Sequence, residues 1–268
     1  MVSQRQIITR QIQDVSELKR ALTLVHNNYV RCGYMEPNSA RIRLGVHYAL
    51  PSTRTYIALV DDEIVATVSF FVDSPLGLPL DSLYPDVANQ LRSQNRSIAE
   101  VGMLADRRGE LARGVHVLLM MMRLVFHAAR EVHMDDLLIT VNPKHVAFYE
   151  RLLCFEELGP VRDYKAVSNA PAVLMRIKIS QVAPADAPND RIRDMFFSPL
   201  EPIETPAYHM RREDVASLFG EMTDIFRDLD GEQIAAIEEQ LPGLRISDLL
   251  RSTEERACAM LEGSDVEE

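Results

Sequence analysis

The sequence predicts a mixed α/β fold, a β-sheet flanked by helices and followed by a helical C-terminal extension. Three observations carry that expectation. Residues 55–72 contain two β-rich runs separated by Asp61-Asp62, a hairpin signal that starts the sheet antiparallel. Residues 97–141 read strand, helix, strand, the pattern of a βαβ crossover, so the sheet is not purely antiparallel. Charge then changes: residues 1–180 carry 21 Lys/Arg against 19 Asp/Glu, whereas residues 181–268 carry 8 against 21. That shift places a module boundary near 180.

In chain order, residues 6–31 read as a helix, with Leu18, Leu22, Leu24 and Val25 near one face, Asp14 and Ser16 as cap candidates, and Cys32-Gly33-Tyr34 ending it. Residues 35–54 are irregular. After the hairpin, the Pro/Gly-rich 73–84 is a loop, and a short helix fills 84–94. The apolar strand at 97–105 is interrupted by Glu100. A long Val/Leu/Met-rich helix spans 114–133 and a strand spans 135–141. A helix opened by Pro143 runs to about 153. In it Phe148 and Leu152 are expected to face the sheet, with Tyr149 turned toward the strand ends. Residues 171–179 form the last strand. Residues 181–206 read as linker or wrapping segment. From 212, Val215, Leu218, Phe219, Met222, Ile225, Phe226 and Leu229 follow helical spacing, and a second helix covers 231–241. These helices dock on the body or on a second copy of the chain. The final residues, from Gly263, read as disordered.

Composition narrows the function. At 268 residues and 47% hydrophobic content the chain can bury a substantial core. No segment reaches the run of about 18 apolar residues that spans a bilayer, and the N-terminus lacks a signal-peptide core. A cytoplasmic location is therefore expected. The net charge of −11 argues against generic nucleic-acid binding. Cys32, Cys154 and Cys258 are widely spaced, so neither a disulfide framework nor a zinc site is expected, and Cys154 reads as a small apolar filler. The histidines show no metal spacing. Asp228-Leu-Asp-Gly231 fails the register of a calcium loop.

The chemistry concentrates in Ile139–Pro160. An apolar strand ends at Val141-Asn142, and a helix carrying Phe148-Tyr149 follows. Strand-Asn-x-x-x-x-Ala-x-x-Phe-Tyr followed by an apolar Phe resembles the last signature of the GNAT acyltransferase superfamily. Residues 145–160, Tyr164, 169–173, Gly77–Asp81 and Ala99–Ala105 are together similar to its long-chain N-acyl amino acid synthase branch, which is related to the autoinducer synthases. The resemblance covers about residues 15–180 and implies a GNAT-like, splayed sheet in an acyltransferase domain at 1–180. Residues 181–268 then form an acidic, mostly helical extension.

The resemblance also implies roles. The acyl donor is a thioester on the phosphopantetheine arm of acyl carrier protein, the acceptor is the amine of an amino acid, and no cofactor is tightly bound. Asn142 and Tyr149 flank the thioester, and Tyr149 protonates the leaving thiolate. Backbone N–H groups of Met103, Leu104 and Ala105 polarise the carbonyl. The loop at 107–116 keeps only Arg113-Gly114 of the pattern by which relatives that use coenzyme A cradle a pyrophosphate. The helix start at Gly114, Val115 and His116 still offers amides to one phosphate. Arg107 and Arg108 are candidates for docking the acidic carrier. His116 has a surface role as an equal alternative, and Met120–Met122 read mainly as core. Glu100 is the candidate base for the acceptor ammonium, with an ion pair to an arginine such as Arg43 as its structural alternative. The family often has Arg after the Glu-Val pair, where this chain has Gly102-Met103, so Arg41, Arg43 and Arg54 become the carboxylate candidates. Two rival readings stay open: an acyl-CoA-dependent enzyme of the same fold, and a non-catalytic acyl-binding module.

Overall fold

The computed structural model describes residues 6–107, 114–179, 181–187, 189–200, 207–220 and 222–251. The N-terminal segment differs from the expected continuous helix. Ile8–Gln11 form an edge strand, β1, and the helix α1 begins at Val15 and ends at Arg31. Asp14 caps α1, its carboxylate accepting from the Glu17 amide at 2.8 Å. Leu18, Ala21, Leu22 and Val25 then form the buried stripe.

The hairpin strands β2 (Arg54–Val60) and β3 (Glu63–Val72) are joined by Asp61 and Asp62 at φ of +50° and +62°. Two left-handed residues in sequence give the turn twist that matches a hairpin. Helix α2 (Pro85–Ser93), strand β4 (Ile98–Asp106), helix α3 (Gly114–Glu131), strand β5 (Asp136–Val141) and helix α4 (Val146–Leu153) follow. Two short strands, β6 (Glu156–Glu157) and β7 (Arg162–Tyr164), lie against β8 (Ala170–Lys178). The main path of the sheet runs β1-β2-β3-β4-β5-β8-β6, with β7 beside β8. Among the described residues only β4 and β5 pair in parallel.

Two apolar layers cover the sheet. On one face α1 and α2 pack over Phe71, Ile98, Leu138 and Leu174. On the other, α3 and α4 pack over Val68, Ala99, Leu137 and Met175. The C-terminal extension contributes to both layers. Helix α5 (Asp190–Phe197), in the segment expected to be linker, sets Ile192 and Phe196 against α3, with Phe196 and Phe126 edge to face at 5.5 Å. The helix expected from 212 is shorter, α6 (Arg212–Phe219). Its Val215, Leu218 and Phe219 enter the α1 layer, and Lys19 donates to the Ser217 carbonyl at 2.9 Å. Helix α7 (Gly231–Gln240) starts from a capping box in which Asp230 accepts from Gln233 N–H at 2.9 Å, the structural use of the Asp-Leu-Asp-Gly motif. No helix among the described residues is long and apolar enough to cross a membrane.

Candidate active site

Strands β4 and β5 run together for four residue pairs, Ile98↔Asp136 to Val101↔Ile139. Beyond them β4 stays on β3, and β5 stays on β8 as far as Val141↔Val173. The parting is built into β4. Its register to β3 passes from Ser69↔Gly102 to Thr67↔Ala105, so Val68 alone opposes Met103 and Leu104. Met103 sits at φ +53°, a left-handed conformation costing a non-glycine residue about 1–2 kcal/mol. A bulge of this kind bends and twists its strand. Among the described residues the edge of β4 that faces β5 therefore has no strand partner past Val101, and its amides can serve a ligand instead.

A cleft of about 520 Å³ occupies this wedge. Leu104, Ala105, Gly114, Val115 and Tyr149 line it, so these five sequence-derived candidates are brought together. Tyr149 is presented by α4, whose entry is shaped by Asn142. The Asn142 side chain accepts from the Lys144 amide at 3.2 Å, and Pro143 occupies the first helical position. Asn142 thus caps the turn and does not line the cleft. The orientation expected within Phe148-Tyr149 is corrected. Tyr149 is the deeply buried ring, at 8% exposure, and Phe148 is half-buried, lines the cleft and stands edge-on to it at 5.4 Å. Burial alone pushes the Tyr149 phenol up to about 12, which keeps it protonated and fit to donate.

Glu100 lies on the α1 face, behind the bulge, and is 4% exposed. Its Oε2 accepts from the Leu80 amide at 2.7 Å. No ion pair with Arg43 forms, which corrects the structural alternative for this residue. Loss of water is the main cause that raises its carboxyl to about 8; the Leu80 hydrogen bond opposes the rise and Asp81 adds to it. Gly102 stands over the same carboxylate. A Cβ there would come within 3.8 Å of Glu100 Oε1 and 3.4 Å of Phe71, ordinary contact distances.

The remaining candidates separate. The Met103 side chain packs into the α1 layer, leaving only its backbone for the cleft. His116 does not line the cleft. Arg107 pairs with Glu63 at 3.0 Å. Arg108 and Arg113 lie outside the described residues. Arg41 is exposed at φ +52°. Arg54 pairs with Glu131 at 2.8 Å and lines a different cleft, between β1, β2 and α3. Arg43 rests on the cleft wall, its guanidinium 4.6 Å from the ring centre of Tyr29, which lines the cleft. Tyr29 and Tyr34, edge to face at 5.7 Å, form a wall of the cleft that sequence reasoning missed. Its only signal was a tyrosine pair straddling a helix end. Among the described residues no group of His, Cys, Asp or Glu could hold a metal ion.

Over residues 20–178, more than half its length, the sequence matches the family described as N-acyl amino acid synthase FeeM. The chain belongs to that family. This synthase is an N-acyltransferase with the GNAT-like fold. The solved structure of FeeM, an N-acyl amino acid synthase from uncultured soil microbes, is 27% identical and covers 66% of this chain and 93% of that one, with a TM-score of 0.58. BjaI, described as a CoA-dependent acyl-homoserine lactone synthase, is 14% identical over 79% of this chain and 98% of its own, with a TM-score of 0.56. The AHL synthase LasI is 13% identical over 75% and 99%, with a TM-score of 0.52. At such identities the last two show a shared fold. No curated protein matches the sequence. The family match ends with β8, so α5, α6 and α7 of this synthase lie beyond it.

Proposed function

We propose that this synthase moves a long-chain fatty acyl group from an acyl carrier protein thioester to the amine of an amino acid, giving an N-acyl amino acid. The observation that carries the reading is the wedge itself: an unpaired strand edge at Gly102–Ala105, a buried phenol across the cleft, and a buried carboxyl behind the bulge. The pantetheine arm lies between β4 and β5, with its phosphate toward the amides at the start of α3. Arg107 and Arg108, flanking the cleft's β4 rim in sequence, meet the acidic carrier. The partial pyrophosphate motif at 107–116 supports carrier protein over coenzyme A as donor.

The reaction is direct. Glu100, as carboxylate, takes a proton from the acceptor ammonium, directly or through one water. The freed nitrogen attacks the thioester carbon and forms the C–N bond. The β4 amides hold the resulting oxyanion. The C–S bond then breaks as the nitrogen releases its second proton to water and Tyr149 gives its proton to sulfur, and solvent returns the proton from Glu100 to the phenolate. Incubating purified protein with one acyl chain on carrier protein, the same chain on CoA, and pooled amino acids tests this. Amide product from the carrier alone is expected. Product from CoA alone would replace the donor, and product from neither would remove the catalytic reading.

A further inference from the structure

Most arginines of the body have a carboxylate: Arg10 with Glu17, Arg54 with Glu131, Arg92 with Asp73 and Asp81, Arg96 with Asp136. Arg43 has none among the described residues. It is half-buried, bonds the Ala166 carbonyl through Nη2 at 3.0 Å, and leaves a buried Nε without a partner. Its plane rests over Tyr29 at 4.6 Å. A guanidinium taken partly out of water with a donor unused is an anion receptor in waiting, since charged groups are seldom buried unpaired.

Its position makes the anion specific. Ala166, whose carbonyl Arg43 holds, lies two residues after Tyr164; the Tyr164 hydroxyl donates to the Pro79 carbonyl at 3.3 Å, and the next residue, Leu80, gives its amide to Glu100 at 2.7 Å. Tyr29 lines the thioester cleft. A ligand reaching from the cleft past Tyr29 meets a proton acceptor at one end and a carboxylate receptor at the other. We infer that Arg43 is the residue that binds the acceptor's α-carboxylate, so that this synthase selects free amino acids over the corresponding esters and amines. The inference rests on the acylation reading above and deepens it.

Equilibrium binding without acyl donor tests it independently of turnover. The full chain is titrated with each protein amino acid, then with the methyl ester and the decarboxylated amine of each one that binds. Wild type is expected to prefer the free acid by about a hundredfold, the scale of a lost charge-assisted contact. Arg43→Met is expected to lose that preference while still binding the amine as wild type does, and Arg43→Lys to keep part of it. Retained binding of the amine also shows that the variant is folded. Equal binding of acid and ester by wild type, unchanged preference in Arg43→Met, or no amino acid bound at all would overturn the assignment. Acylation without such preference would leave the transferase reading standing and remove only Arg43.

Discussion

Glu100 and Tyr149 are the same physical object in two settings. Each is an acidic group stripped of water, with no opposite charge beside it, and each has its proton affinity raised by that loss. They occupy opposite faces of one sheet, Glu100 with the α1 layer and Tyr149 with the α3 layer. The outcome differs because the starting points differ. A phenol raised to about 12 stays a donor at every physiological pH, whereas a carboxyl raised to about 8 sits where it can accept. In the reaction proposed above, one cause supplies the acid and the base, and the wedge between β4 and β5 is where the two layers meet.

The comparison breaks most sharply at Tyr149. Tyr149→Phe is expected to lower kcat by about 10³-fold with an alkyl thioester, the scale of general acid catalysis. It should cost far less with an aryl thioester, whose thiolate leaves unaided; equal losses on both donors would remove Tyr149 as the acid. Glu100→Gln should lower kcat/KM by about 10²-fold at high pH. Taking the ratio of wild-type to variant rate cancels the acceptor's own titration. That ratio should climb about tenfold per pH unit up to about 8 and then level, following the carboxylate fraction.

The same carboxyl predicts a stability effect of defined sign. Its folded value lies above its unfolded one, so its contribution is complete below about 4.5 and is lost as pH rises through about 8. Thermal melts should show wild type falling relative to Glu100→Gln across that window, with a limiting slope of about 1.4 kcal/mol per pH unit. A pH-independent difference would mean that the carboxyl is not buried in solution. Gly159→Ala probes the scaffold on the α1 face. Its Cβ would meet the Tyr84 ring at 2.9 Å, and that ring is pinned by hydrogen bonds to Pro160 and Ala172 carbonyls at 2.6 and 2.9 Å. A loss of about 1–3 kcal/mol in denaturant unfolding is expected from such overpacking. The smallest effect belongs to Arg54→Met: under about 1 kcal/mol for an ion pair open to solvent on its Glu131 side. The acceptor KM should not change, and a rise in it would return Arg54 to the carboxylate site.

Local signals made much of this legible. The hairpin, the crossover and a carboxylate inside an apolar strand are patterns within a few residues of each other, whereas Tyr149 was singled out by the helix that follows Asn142-Pro143 and by the family resemblance. What escaped depends on distant partners. Strand β1, Ile-Thr-Arg-Gln, has one strongly apolar residue and is defined by its pairing with β2. Helix α5 sits among prolines and is held by Phe126 of α3. The Leu80 amide reaches Glu100 across 20 positions. Three arginines of equal promise in sequence were sorted by partner and burial: Arg54 has a carboxylate, Arg41 is exposed and Arg43 is half-buried.

The extra residue in β4 sets which layer each later side chain joins. Up to Gly102 the even-numbered positions share a side with Phe71; past it, Ala105 aligns with Thr67 and Asp106 with Ala66, so the parity is reversed. Removing one residue at 103 or 104 would leave the side chains of Glu100 and Tyr149 in place yet hand the residues that follow to the wrong helix, turning Asp106 away from Gly114 and toward Glu100. The insertion is a phase shifter, and the chain's length through that point is as much a part of the enzyme as the identity of its residues.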